Sequence, residues 1–187
     1  MTLVITDPKK ASNPYLDRIR MVRGSIAEQG TEAIVTFIPQ SLEYRGEINA
    51  AILKGAGERM DRFVLDNIYK PRIGDIYTVP GFDLPCDHIF FCIVPIKRSD
   101  IDRPDRYLLN ACRRAMETAS MMGLKTISFP PLGAGRRGFP KPRAARLILQ
   151  AISERLDENI EEVRIVARTD KTLDIFRERF RSIGGQC

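Results

Sequence analysis

Residues 126–149 impose the tightest constraint on how this chain can fold. Thr126-Ile127-Ser128-Phe129 is a short apolar run that reads as a buried strand. Lys141 to Leu149 reads as a helix with proline in its first turn. Between them runs Pro130-Pro131-Leu132-Gly133-Ala134-Gly135-Arg136-Arg137-Gly138-Phe139-Pro140. A glycine-rich loop joining a strand end to a helix start can turn backbone N–H groups toward an anion, because glycine accepts φ > 0 and close approach. The helix dipole favours negative charge at the same place. The residues therefore predict a phosphate or diphosphate site.

Charge supports an anionic ligand without choosing one. The 187 residues carry a formal net charge of +6, with 43% hydrophobic and 29% charged residues. No acidic residue occurs from Thr118 to Ser153, whereas Lys125, Arg136, Arg137, Lys141, Arg143 and Arg146 all do. That window suits a nucleotide or RNA, or is simply a solvated helix face. The four cysteines, Cys86, Cys92, Cys112 and Cys187, form no C-x-x-C pair and match no zinc spacing. His88 is the single histidine, so no histidine-based metal site or Ser-His-Asp triad is predicted, and no cofactor is implied. No run reaches the roughly 20 apolar residues of a membrane span. Met1 to Thr6 is too short for a signal peptide, so a cytoplasmic setting is expected.

Along the chain, apolar strands alternate with helices. Strands are expected at 3–6, 18–23, 33–38, 74–80, 88–94, 126–129 and 163–168. Helices are expected at 47–57, 58–68, 105–122, 141–156 and 171–181. This order predicts an α/β fold, a three-layer α/β/α sandwich around a mixed, mostly parallel central sheet. Length and the absence of a linker predict one domain over 1–187, with 1–16 as an N-terminal strand and turn extension. Ligands of such sheets bind beyond the carboxyl ends of the strands. Four loops can build that site: Gly24-Ser25-Ile26, Pro39 to Ile48, Gly133 to Gly138, and the segment after Ala167.

The order of these loops resembles the macrodomain family, which binds ADP-ribose. Gly24-Ser25-Ile26 is similar to the family's Gly-Asp-Ile turn, and Glu32-Ala33-Ile34-Val35 to its Asp-Ala-Ile-Val strand. Gly46-Glu47-Ile48-Asn49-Ala50-Ala51-Ile52 resembles its first phosphate loop and the helix after it. Ser128 to Pro140 resembles its second phosphate loop. The resemblance implies a ligand site of Ser25, Ile26, Thr36, Gly46, Ile48, Asn49, Leu132, Gly133, Ala134, Gly135, Arg136, Arg137, Gly138, Phe139 and Arg168. The implied partner is ADP-ribose, a related nucleotide diphosphate, or an ADP-ribosylated protein.

Departures from the family pattern weigh against hydrolysis. Ser25 stands where the resemblance implies an adenine-binding Asp, and the two asparagines of an Ala-Asn-Asn run are replaced within Thr36 to Pro39. Asn49 takes the position of an Asp used by some hydrolytic members. Arg137 and Arg168 take those of aromatics over the distal ribose and beside adenine. Asn49 cannot act as a general base, and Thr36 cannot take a proton near pH 7. Glu47 is the nearest carboxylate by sequence: a relocated catalytic group, a source of repulsion toward diphosphate, or a solvent-facing side chain. Arg168 either stacks on a purine or is an exposed strand-end arginine. A ligand of about 36 heavy atoms at ~0.3 kcal/mol per atom has a ceiling of about −11 kcal/mol. Losing two or three polar contacts at ~1 kcal/mol each leaves about −8 kcal/mol, or micromolar binding. The expectation is a nucleotide-binding domain with weak or no hydrolase activity; the alternatives are an active ADP-ribosyl or ester hydrolase and an RNA-binding module.

Overall fold

The computed structural model describes residues 13–95, 102–131 and 138–187. The expected strand at 3–6 lies outside them. The described strands are β1 Ile19–Arg23, β2 Ala33–Ile38, β3 Ile76–Pro80, β4 His88–Ile93, β5 Thr126–Phe129 and β6 Glu162–Ala167. The helices are α1 Gly46–Ala56, α2 Glu58–Asn67, α3 Pro104–Met121, α4 Lys141–Arg155 and α5 Asp170–Ser182. The strands form one sheet in the order β1-β6-β5-β2-β4-β3. Every neighbouring pair is parallel except β3 with β4. The α/β/α sandwich with a mostly parallel sheet is thus the observed fold.

Period-2 alternation along the strands divides the interior in two. Ala33 and Val35 of β2, Phe90 and Cys92 of β4, and Ile127 and Phe129 of β5 join the larger core, with α3, α4 and α5. Ile34 and Ile38 of β2, with Ile89, Phe91 and Ile93 of β4, face the smaller core under α1 and α2. Both faces of β2 and β4 are therefore mainly apolar, as their hydrophobic runs require, with Thr36 the buried polar exception in β2. β2 and β5 are neighbours in the sheet. The helix after β2 lies on one face, and the helix after β5 lies on the other. A crevice opens at the carboxyl ends of two such strands, because the chain leaves them in opposite directions.

The cysteines behave as small core residues. Burial pushes the Cys92 thiol up to about 12 and the Cys86 thiol up to about 11, and it pushes Cys112 well above its ordinary value. Cys187 is exposed. A thiol reagent at pH 8 is therefore expected to modify Cys187 rapidly in the folded protein and the other three only after denaturant is added. Fast modification of two or more thiols by mass spectrometry would contradict this packing.

Candidate functional site

The crevice is occupied by a cleft of about 500 Å3, within the size range of small-molecule sites. Gly24, Ser25 and Ile26 follow β1, and Thr36 and Phe37 lie near the end of β2. Pro130 and Pro131 follow β5, while Ala167, Arg168 and Thr169 lie at the end of β6. The opposite wall is the start of α1, from Gly46 to Asn49. Three of the four loops expected from sequence thus meet here. In the fourth, Leu132, Gly133, Ala134, Gly135, Arg136 and Arg137 lie outside the described residues.

Each wall is held by local hydrogen bonds. Ser25 caps a 3-10 turn at Ile26–Glu28, its hydroxyl accepting the Ala27 N–H at 3.3 Å. Its side chain is therefore engaged with its own turn. Gly46 opens α1 at φ 82, a backbone state that an L side chain enters at a cost of about 1–2 kcal/mol. Asn49 is 6% exposed and uses its whole amide. Its Nδ2 donates to the carbonyls of Phe37 at 3.0 Å and Arg45 at 3.1 Å. Its Oδ1 accepts the hydroxyl of Thr36, which is 1% exposed. Thr36 and Asn49 are thus a brace that fastens the start of α1 to the end of β2. Tyr44, just before α1, packs edge-on against Phe91 with ring centroids 6.4 Å apart. Burial, with the Asp61 carboxylate nearby, pushes its phenol above the ordinary range for tyrosine.

The charged side chains sit at the mouth. The side chain of Glu47 is 86% exposed and that of Arg168 is 64% exposed, and Arg168 Nη1 lies 3.8 Å from Glu47 Oε2. So exposed a pair contributes little to stability, but it spans the opening from α1 to the end of β6. Ile26, Ile48 and Val166 line the cleft and belong to or pack against the smaller core, giving the site an apolar floor for a planar ring. Gly138 and Phe139 are not among its lining residues. Phe139, just before α4, packs against the larger core instead.

Cleft-lining residues that the sequence did not mark as ligand contacts include the polar Lys141, Thr169 and Thr172. Thr169 caps α5 by accepting the Thr172 N–H at 3.3 Å. The signal was available in Thr169-Asp170-Lys171-Thr172, a capping residue ahead of an amphipathic helix. The basic window is less open than its composition suggests. Arg143 and Arg146 both reach Asp105 of α3, at 2.8 and 3.5 Å.

The family model of the macro domain matches residues 38–148. The chain belongs to the macro domain family. This match takes in the start of α1 and the loop before α4, whereas the cleft residues of β1 and β6 lie outside it. Among relatives, an uncharacterized Thermotoga maritima protein is 30% identical over 87% of this chain, which spans 28% of that protein. The O-acetyl-ADP-ribose deacetylase 1 of Pantoea vagans is 26% identical, with 86% of this chain and 97% of that protein covered. A mutant Oceanobacillus iheyensis macrodomain solved with ADPR superposes with a TM-score of 0.78 at 27% identity, covering 92% of this chain and 97% of that one. No helix among the described residues is long and apolar enough to cross a membrane, and no group of three or more potential ligands among them could hold a metal ion.

Proposed function

We propose that this macrodomain binds ADP-ribose or a related nucleoside diphosphate in the cleft, with weak or no hydrolase activity. The observation that carries the binding half is the cleft's position, at the strand ends where β2 and β5 send their helices to opposite faces. Its apolar floor suits a base, and the Oceanobacillus macrodomain of similar fold was solved with ADPR. The silent half rests on Asn49 and Glu47. Hydrolysis needs a group that activates a positioned water. The Asn49 amide is fully engaged in its brace, and the Glu47 side chain is 86% exposed at the mouth, beside Arg168. A second reading is ester or ADP-ribosyl hydrolysis with Glu47 as a relocated base; its ester half is favoured by the name of the Pantoea relative, an O-acetyl-ADP-ribose deacetylase.

Calorimetry and an activity assay separate these readings. ADP-ribose and ADP are expected to bind in the micromolar range, about −8 kcal/mol. Neither O-acetyl-ADP-ribose nor a mono-ADP-ribosylated protein is expected to lose its group faster than in buffer. No heat with either nucleotide at millimolar concentration overturns the binding half. Turnover abolished by Glu47→Gln establishes the second reading.

A further inference from the structure

Three cations line the described cleft: Arg45, Lys141 and Arg168. Arg45 is paired with Glu43, and Arg168 lies 3.8 Å from Glu47. Lys141 differs, because among the described residues no carboxylate lies within ion-pair distance of it. Its Nζ instead donates to Thr172 Oγ1 at 3.0 Å. Thr169 Oγ1 also donates to Thr172 Oγ1, at 3.0 Å. The Thr172 oxygen thus accepts two protons, which leaves its own hydroxyl proton to donate. An ammonium carries three protons, and this one uses a single proton on Thr172. Thr172 is 5% exposed and lines the cleft, so its hydroxyl is sheltered from bulk water. This corner therefore presents donors and a positive charge, the complement of a group that only accepts and is negative. The backbone contributes less there than at most helix starts. Pro140 and Pro142 flank Lys141, and neither has an N–H.

We propose that Lys141 and Thr172 form a phosphoryl-binding subsite in the cleft, a specificity determinant that favours nucleotides over nucleosides. Lys141 meets the anion, Thr172 holds the amine and donates its own proton, and Thr169 positions Thr172. The inference rests on the nucleotide reading above. It adds a side-chain cation, independent of the loop before α4, as the group that recognises phosphate.

The test uses the full chain and its Lys141→Met, Lys141→Arg and Thr172→Val variants. Affinity for ADP and ADP-ribose is measured by calorimetry at several salt concentrations, and affinity for adenosine by ligand-observed NMR. Loss of a charged hydrogen bond predicts that Lys141→Met weakens ADP and ADP-ribose about tenfold or more, with adenosine within about twofold of wild type. The salt dependence of ADP binding flattens in the same variant, because the screened charge is gone. Lys141→Arg keeps most of the affinity, and Thr172→Val loses a smaller factor than Lys141→Met. A melting temperature near wild type shows that Lys141→Met is folded. ADP binding unchanged in Lys141→Met overturns the proposal, as does an equal loss for ADP and adenosine, which marks a change in wall shape. Wild-type protein that binds none of the three ligands defeats the nucleotide reading itself, and the subsite with it.

Discussion

Asn49→Ala is expected to destabilise the protein by about 3 kcal/mol, which at this chain length lowers the thermal midpoint by roughly 6–12 °C. The substitution strips a donor from the carbonyls of Phe37 and Arg45 and the acceptor from the Thr36 hydroxyl. A buried polar group left without a partner costs about 1–3 kcal/mol, and water from the adjoining cleft recovers part of that. Calorimetric melting measures the loss, and a shift under 2 °C would show that the brace is dispensable. Asn49→Asp makes the sharper comparison. It removes both N–H donors and turns a second oxygen toward two carbonyl oxygens in a site only 6% exposed. Burial and these neighbours favour the neutral acid, so the introduced carboxyl titrates above its unfolded value of about 3.9. A group whose folded pKa is raised contributes stability below the unfolded value and loses it as pH rises through the folded one. The variant is therefore expected to approach wild type near pH 4 and fall furthest behind at pH 7–8. A deficit independent of pH would mean that the carboxylate has swung out into the cleft.

Much of this architecture is written in local pattern. The mainly apolar runs 33–38 and 126–129 carry the bounds of β2 and β5 unchanged, because strands buried on both faces are mostly apolar and their few polar residues, such as Thr36 and Ser128, are hydrogen-bonded inside. The run from Gly74 is less direct. β3 starts at Ile76 because Gly74, at φ 97, and Asp75 form a turn, with the Asp75 N–H on the Arg72 carbonyl at 3.0 Å. Strand order is not local and was not readable, nor was the antiparallel sense of β3. The site divides the same way. Gly24-Ser25-Ile26 and Gly46 to Asn49 sit at element ends, where chain direction alone brings them to the crevice. Lys141 and Thr172 are 31 residues apart and meet only because α4 packs beside α5. The roles of Glu47 and Arg168 depend on which way long side chains point, which spacing along the chain does not carry; both are exposed at the mouth. Phe139 went the other way, since an aromatic next to a helix start can cover a ligand or fill a core.

Phe129→Ala is the second large effect, about 3–5 kcal/mol and on the order of 10 °C in midpoint. Phe129 is fully buried at the last position of β5, paired with Ile165 of β6 and packed in the larger core with α3 and α4. Its removal leaves a cavity that the sheet pairing of β5 with β6 keeps from collapsing. Phe129→Leu retains most of the volume and is expected to cost less than about 1.5 kcal/mol. The two substitutions also probe the cleft, because Pro130 and Pro131 follow directly. Proline fixes φ and offers no N–H, so these two residues end the ladder and form a stiff rim whose placement depends on the Phe129 anchor. Ligand that binds only the folded state at 100 times its Kd adds about 2.7 kcal/mol of stability. If Phe129 anchors the rim, ADP-ribose at a fixed concentration raises the midpoint of Phe129→Ala by less than it raises that of Phe129→Leu. Equal shifts would mean that the strand end holds its position without the aromatic ring, and that the cleft is set by α1 and β6 alone.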